Sequence, residues 1–116
     1  MTVLTLPWPP AVNNLFMNVG KRRIRTKRYD AWLSEALIAV HEQRPAKIAG
    51  SFNVTIICNQ PDRRRRDLDG LAKAPLDLLV KAGVITDDSH ARQLTIGWGV
   101  LEPSKPGSVY IELEAA

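Results

Sequence analysis

A chain of 116 residues fits one domain, since domains run from roughly 50 to 250 residues. Its 45% hydrophobic and 24% charged residues describe a globular rather than a disordered protein. The longest aliphatic run, Ala36 to Val40, is far short of the about 20 residues a spanning helix needs, and prolines at 7, 9 and 10 break up any early apolar leader, so a soluble cytoplasmic domain is expected. The single Cys58 excludes an intrachain disulfide and a cysteine-built zinc site.

In chain order, Thr2 to Leu6 alternates polar and apolar residues like a strand, and LPWPP stops it, because proline cannot donate to a sheet ladder. Ala11 to Lys27 keeps no steady period and reads as a long loop or a loose hairpin. From about Lys27 to Arg44 the pattern turns helical. Tyr29, Trp32, Leu33, Ala36, Leu37 and Val40 follow i, i+3, i+4 spacing, and Pro45 marks the stop. SFNVTIICN, residues 51–59, has the strongest strand composition in the chain.

A second helix is predicted from Asp67 or Leu68 to Lys81, with Leu68, Leu71, Ala72, Leu76 and Leu79 as its core face, Gly83 as its C′ residue and a bend at Pro75. After a short connector, VITDDS, residues 93–101 and 108–113 read as a final antiparallel pair joined by EPSKPG. The order β-loop-α-β-α-β-β implies an α+β (α/β-like) fold, a small mixed sheet with two packed helices, formed by residues 1–116 as one domain.

Charge is concentrated in two places. Six of the 16 Lys and Arg are Lys21, Arg22, Arg23, Arg25, Lys27 and Arg28, and four more are Arg63, Arg64, Arg65 and Arg66. Clustered positive charge with a pI near 9.6 is the footprint of a polyanion binder. The second cluster abuts Asp67 and Asp69 at the exit of a strand, with Lys73 four residues after Asp69 on the same face of the predicted helix. Asp87 and Asp88 follow that helix on a connector that brings them back toward the sheet.

Carboxylates meeting at one point repel unless a cation lies between them, and oxygen-only ligation suits Mg²⁺. Such an ion activates water and polarises a phosphodiester, and an ammonium beside it steadies developing negative charge. The pattern points to a metal-dependent nuclease. Taken one at a time, the same residues also suit a helix cap at Asp67, a first-turn charge at Asp69, a surface ion pair with Lys73 and turn residues at Asp87 and Asp88.

LPWPP followed by Asn13 and Asn14, the run PDRRRRDLD, the lysine four residues on, and KAGVITDD together resemble the RusA family of Holliday junction resolvases over nearly the whole chain. The resemblance implies a homodimer that cuts four-way junction DNA by paired symmetric nicks with Mg²⁺ as cofactor. It implies Asp67, Asp69 and Asp88 as the metal-binding carboxylates, Lys73 as the essential basic group, and a role for Arg66 in catalysis or DNA contact. Asp88 is preferred to Asp87 on the family's spacing. Two residues depart from the family pattern. Gly70 stands where such sequences carry Asn, and Pro75 lies within the predicted helix, so both leave room for lower activity. Rival readings are a non-catalytic branched-DNA-binding protein, a nuclease without junction preference, and a protein whose charge clusters are surface alone. Trp32, Leu37, Ile38 and Trp98 are candidates for a subunit contact, with core packing as the ordinary role of each.

Overall fold

A computed structural model describes residues 1–116. Strand β1 (Thr2–Pro7) turns Leu4 and Leu6 into the core and leaves Val3 and Thr5 exposed, as the alternation dictates. The segment after it forms a 3-10 turn at Val12–Asn14 and a two-stranded antiparallel hairpin, β2 (Phe16–Val19) and β3 (Arg22–Arg25). The hairpin reverses at Gly20, whose φ of 62° suits glycine. Of the two readings left open for this stretch, the hairpin is the one formed.

Helix α1 (Lys27–Gln43) starts at Thr26. The Thr26 hydroxyl accepts the Tyr29 N–H at 3.1 Å and donates to the Asn14 carbonyl at 2.7 Å, so one side chain both caps the helix and ties it to the turn before the hairpin. Tyr29, Trp32, Leu33, Ala36 and Val40 are buried as their spacing predicts. Trp32 also donates its indole N–H to the Pro7 carbonyl at 3.0 Å, which makes it a core residue and not a subunit contact. Ile38 and Trp98 remain exposed.

Strands β4 (Phe52–Asn59), β5 (Ala91–Trp98) and β6 (Ser108–Ala115) complete a four-stranded sheet in the order β1-β6-β4-β5. The predicted antiparallel pairing of the last two strands is not formed. Strand β4 lies between them, parallel to β5 and antiparallel to β6. The reason lies in the helical segment separating β4 from β5, which makes the crossover that a parallel pair requires. The loop after β5 then crosses the end of β4, where Gly99 donates to the Cys58 carbonyl at 2.9 Å and Ser104 to the Gln60 carbonyl at 3.0 Å. Strand β5 also ends at Trp98, three residues before its predicted end, and Val100 and Leu101 are exposed.

Helix α2 (Lys73–Lys81) begins later than predicted. Asp69–Leu71 is a 3-10 turn, and Ala72 occupies the cap position without a side-chain bond. Pro75 is therefore the third residue of α2, inside the first turn, where no N–H is owed a partner. It opens the helix instead of bending it. The changed phase buries Ala74, Pro75, Leu78 and Leu79, while Leu68 and Leu76 are only half-buried, and Gly83 follows the helix with a φ of 75° as expected of a C′ glycine.

Had Pro75 kinked the helix, replacing it by Ala would stabilise the protein by about 3 kcal/mol. The expected result is instead a loss of about 1–2 kcal/mol, from buried ring carbons and a freer unfolded chain, read from urea denaturation.

One cluster of 22 buried residues joins the helix side of the sheet to both helices, with Phe52, Ile56, Leu78, Leu79, Ile111 and Leu113 fully enclosed. No helix is long and apolar enough to cross a membrane.

Candidate functional site

The start of α2, the first turn of α1 and the 3-10 turn at Asp88–His90 meet around one lysine. The Lys73 ammonium lies 3.0 Å from Asp77 Oδ1 and 3.8 Å from Asp88 Oδ2. The other Asp77 oxygen, Oδ2, accepts the Tyr29 hydroxyl at 3.1 Å. Burial, with the Asp77 carboxylate beside it, pushes the Tyr29 phenol above its usual range, so the group stays protonated and donates. The hydrogen bond that Lys73 donates to Asp77 raises the Lys73 pKa and holds the ammonium charged. Asp77 carries a readable signal in the sequence, because it lies four residues after Lys73, the same spacing that separates Lys73 from Asp69.

The neighbouring acids divide their work. Asp87 caps the 3-10 turn, accepting the Ser89 N–H at 2.8 Å, and that backbone bond holds its carboxyl below the usual range. Asp88 is left to face Lys73. Both line a cleft of about 460 Å³ together with Asp77, Tyr29, Phe16 and Arg25. His90 closes the same turn with its Nδ1 buried and without a partner.

Asp67 and Asp69 are exposed in the segment ahead of α2, and neither carboxylate is paired with Lys73. Because Asp69 belongs to a 3-10 turn and Lys73 opens the α-helix, the two do not share a helix face as the sequence suggested. The donor chemistry of these aspartates, all oxygen, suits a hard divalent ion. The geometry does not: no three Asp, Glu, His or Cys side chains are gathered closely enough to hold a metal, and the two carboxylates that do meet are served by an ammonium. Asp67, Asp69 and Asp88 do not form a group that could hold a metal in this structure.

The two basic clusters differ in how far they are tied down. In the loop after β4, Arg66 is held by Asp62 at 2.8 Å and lies over the Trp8 ring at 5.3 Å, leaving its side chain only 17% exposed. That bond to Arg66, with one from the Arg64 N–H, holds Asp62 below the usual carboxylate range. Arg63 pairs with Glu102, and Arg65 is exposed. On the hairpin, Lys21, Arg22 and Arg23 are exposed, and Arg23 covers the Phe16 ring at 4.6 Å. Phe16 in turn meets Tyr29 edge-on at 5.7 Å.

Arg25 pairs with Asp30 at 2.7 Å. Lys27 and Arg28 occupy the first turn of α1, where the helix dipole disfavours cations.

The sequence model of the family described as Endodeoxyribonuclease RusA matches residues 7–114. The chain belongs to the RusA family. Proteins named crossover junction endodeoxyribonuclease RusA from Escherichia coli strain K12 and from Shigella sonnei are each 38% identical to it over 88 residues, and that of Enterobacteria phage 82 is 39% identical over 88 residues. In each case the match covers 75% of this chain and 73% of the relative.

The segments that carry the RusA resemblance are far apart in sequence and touch in the fold. Trp8 of LPWPP lies under Arg66 of the arginine run, and a side chain added at Gly70 would stand 3.5 Å from Val12, an ordinary contact. Gly70 has no left-handed backbone to demand glycine, so the departure from Asn leaves this turn intact. Cys58 is enclosed in β4, where burial pushes its thiol up to about 11, and it is an inert packing residue.

Proposed function

We propose that this chain is a Mg²⁺-dependent, structure-selective DNA endonuclease that resolves Holliday junctions by paired symmetric nicks, with residues 1–116 acting as one domain on nucleoid DNA in the cytoplasm. The observation that carries the reading is the cleft itself. Arg25 of the basic hairpin and Asp77, Asp87 and Asp88 line one cavity, so a strand gripped through its phosphates by the hairpin runs past the Lys73 cluster. Membership of an endodeoxyribonuclease family supports the class of reaction, and the names of the relatives support the four-way junction as substrate.

Lys73 is proposed to steady negative charge on the phosphate being cut, through a fixed ammonium that needs no reorganisation when the charge develops. Asp67, Asp69 and Asp88 are proposed as the acidic site. The Mg²⁺ dependence rests on the family resemblance and on the oxygen chemistry of these carboxylates, which would have to draw together around the ion. Lys21, Arg22, Arg23, Arg25, Lys27 and Arg28, with Arg63, Arg64 and Arg65, are proposed to contact backbone phosphate, which gives affinity and orientation without reading sequence. Arg66, tied to Asp62 and Trp8, supports the loop that presents Asp67.

A homodimer follows from the substrate: a four-way junction has approximate two-fold symmetry, and paired cuts need two copies of a single-site chain.

The test is cleavage of a mobile four-way junction and of a matched linear duplex, each with Mg²⁺ or with EDTA. Symmetric paired nicks on the junction, lost with EDTA, are the expected result. Tight junction binding without cutting would replace this reading by that of a branched-DNA-binding protein. Equal cutting of junction and duplex would remove the structure selectivity.

A further inference from the structure

A lysine at the first position of a helix followed by aspartate four residues on is the less favoured order of an i, i+4 ion pair, and its cation meets the positive end of the dipole. Lys73 and Asp77 adopt it nonetheless, and Asp77 is only 26% exposed. What separates this from an ordinary surface pair is a third group from another helix. Tyr29, 2% exposed in α1, is fixed edge-on against Phe16 and stacked with Trp32 at 6.4 Å, and its hydroxyl reaches Asp77 Oδ2. The carboxylate is therefore clamped from behind by a buried phenol while its front oxygen holds the ammonium at 3.0 Å. Asp88, at 3.8 Å, lies beyond a good hydrogen bond and does not itself hold the lysine.

We propose that Asp77, clamped by the Tyr29 hydroxyl, is a positioning residue that sets where the Lys73 ammonium stands beside Asp88. It acts on the reaction only through Lys73. A lysine side chain has a flexible four-carbon stem, and a misplacement of about 1 Å in a reacting group costs on the order of 10²-fold in rate. The proposal rests on the endonuclease reading for its effect on rate, but not for its statement about where Lys73 is held.

The experiment uses the full chain with Asp77→Ala, the near-isosteric Asp77→Asn, and Tyr29→Phe, which keeps the ring packing and removes one hydroxyl. Asp77→Ala should lower kcat for junction cleavage by on the order of 10²-fold, with KM and junction affinity in EDTA unchanged, and Tyr29→Phe should lower kcat by a smaller factor. In a Lys73→Ala background, Asp77→Ala should cost nothing further. Side-chain ammonium resonances of ¹⁵N-lysine-labelled protein supply a readout that needs no turnover. The Lys73 signal should be slowed in hydrogen exchange by its partner in the parent protein and broadened by exchange in Asp77→Ala.

Wild-type kcat in folded Asp77→Ala, or an unchanged Lys73 resonance, would overturn the proposal. Should Asp77→Ala fail to fold, Asp77→Asn and Tyr29→Phe carry the same comparison. A parent protein that cuts no junction would defeat the endonuclease reading, and the Lys73 resonance would still decide whether Asp77 holds the lysine.

Discussion

Asp69→Asn is expected to lower junction cleavage by about 10³-fold or more, equivalent to about 4 kcal/mol of transition-state stabilisation, while junction binding in EDTA is retained or slightly tightened. The separation follows from where Asp69 stands. It is exposed in the 3-10 turn ahead of α2, where the main chain supplies the structure through the Ala72 N–H to Asp69 carbonyl bond, and its carboxylate is in no ion pair. Exchanging a carboxylate for an amide strands no partner and removes one negative charge from the surface proposed to face the phosphate backbone.

The melting temperature should therefore stay near that of the parent, and the nick yield on a synthetic junction should fall while a gel-shift titration does not. Loss of binding and cleavage together would make Asp69 a structural residue. Lys73→Ala supplies the complementary case. It removes the one cation between Asp77 and Asp88, so two carboxylates are left facing each other across the cleft. Its cost in rate should come with a stability penalty that Asp69→Asn lacks.

Much of this fold was written in local pattern. The i, i+3, i+4 run from Tyr29 to Val40 produced the helix with the predicted buried residues, and the β-branched run before Asn59 produced the central strand. What pattern could not convey was partnership. Residues 91–98 and 108–115 are strands whichever neighbour they take, and only the crossover through α2 decides that β4 lies between them.

The same limit applies at the site. Asp67, Asp69, Lys73 and Asp88 were all visible as chemistry-bearing residues in one motif, but their grouping depends on the phase of a helix, and the 3-10 turn at Asp69–Leu71 altered that phase. Lys73 pairs with Asp77 and Asp88 instead of Asp69. Tyr29 was legible only as a core residue. That its hydroxyl reaches across to α2 depends on the packing angle of two helices, for which a single sequence carries no local sign.

Neutralising the exposed end of the hairpin should weaken DNA binding strongly. In a triple variant with Gln at Lys21, Arg22 and Arg23, three phosphate contacts are lost. The slope of log K against log salt for duplex arms should then become shallower by about 2.7, taking about 0.9 per contact. At roughly 0.1 M salt the same relation gives about a tenfold loss of affinity per contact, or about 10³-fold for the three.

These three side chains suit the test because all are exposed and none has an ion-pair partner within the chain. Arg25 and Arg66 would confuse it, since removing either also releases Asp30 or Asp62. Arg23 has one further attachment, its guanidinium over the Phe16 ring, so a thermal melt accompanies the titration to show that the hairpin still packs on α1. If the variant binds junction with unchanged affinity and salt slope while remaining folded, DNA approaches from another face. The exposed arginines at 63–65 would then be the surface to neutralise next. If affinity falls and the slope does not, the hairpin contributes shape, and the charge on it serves solubility.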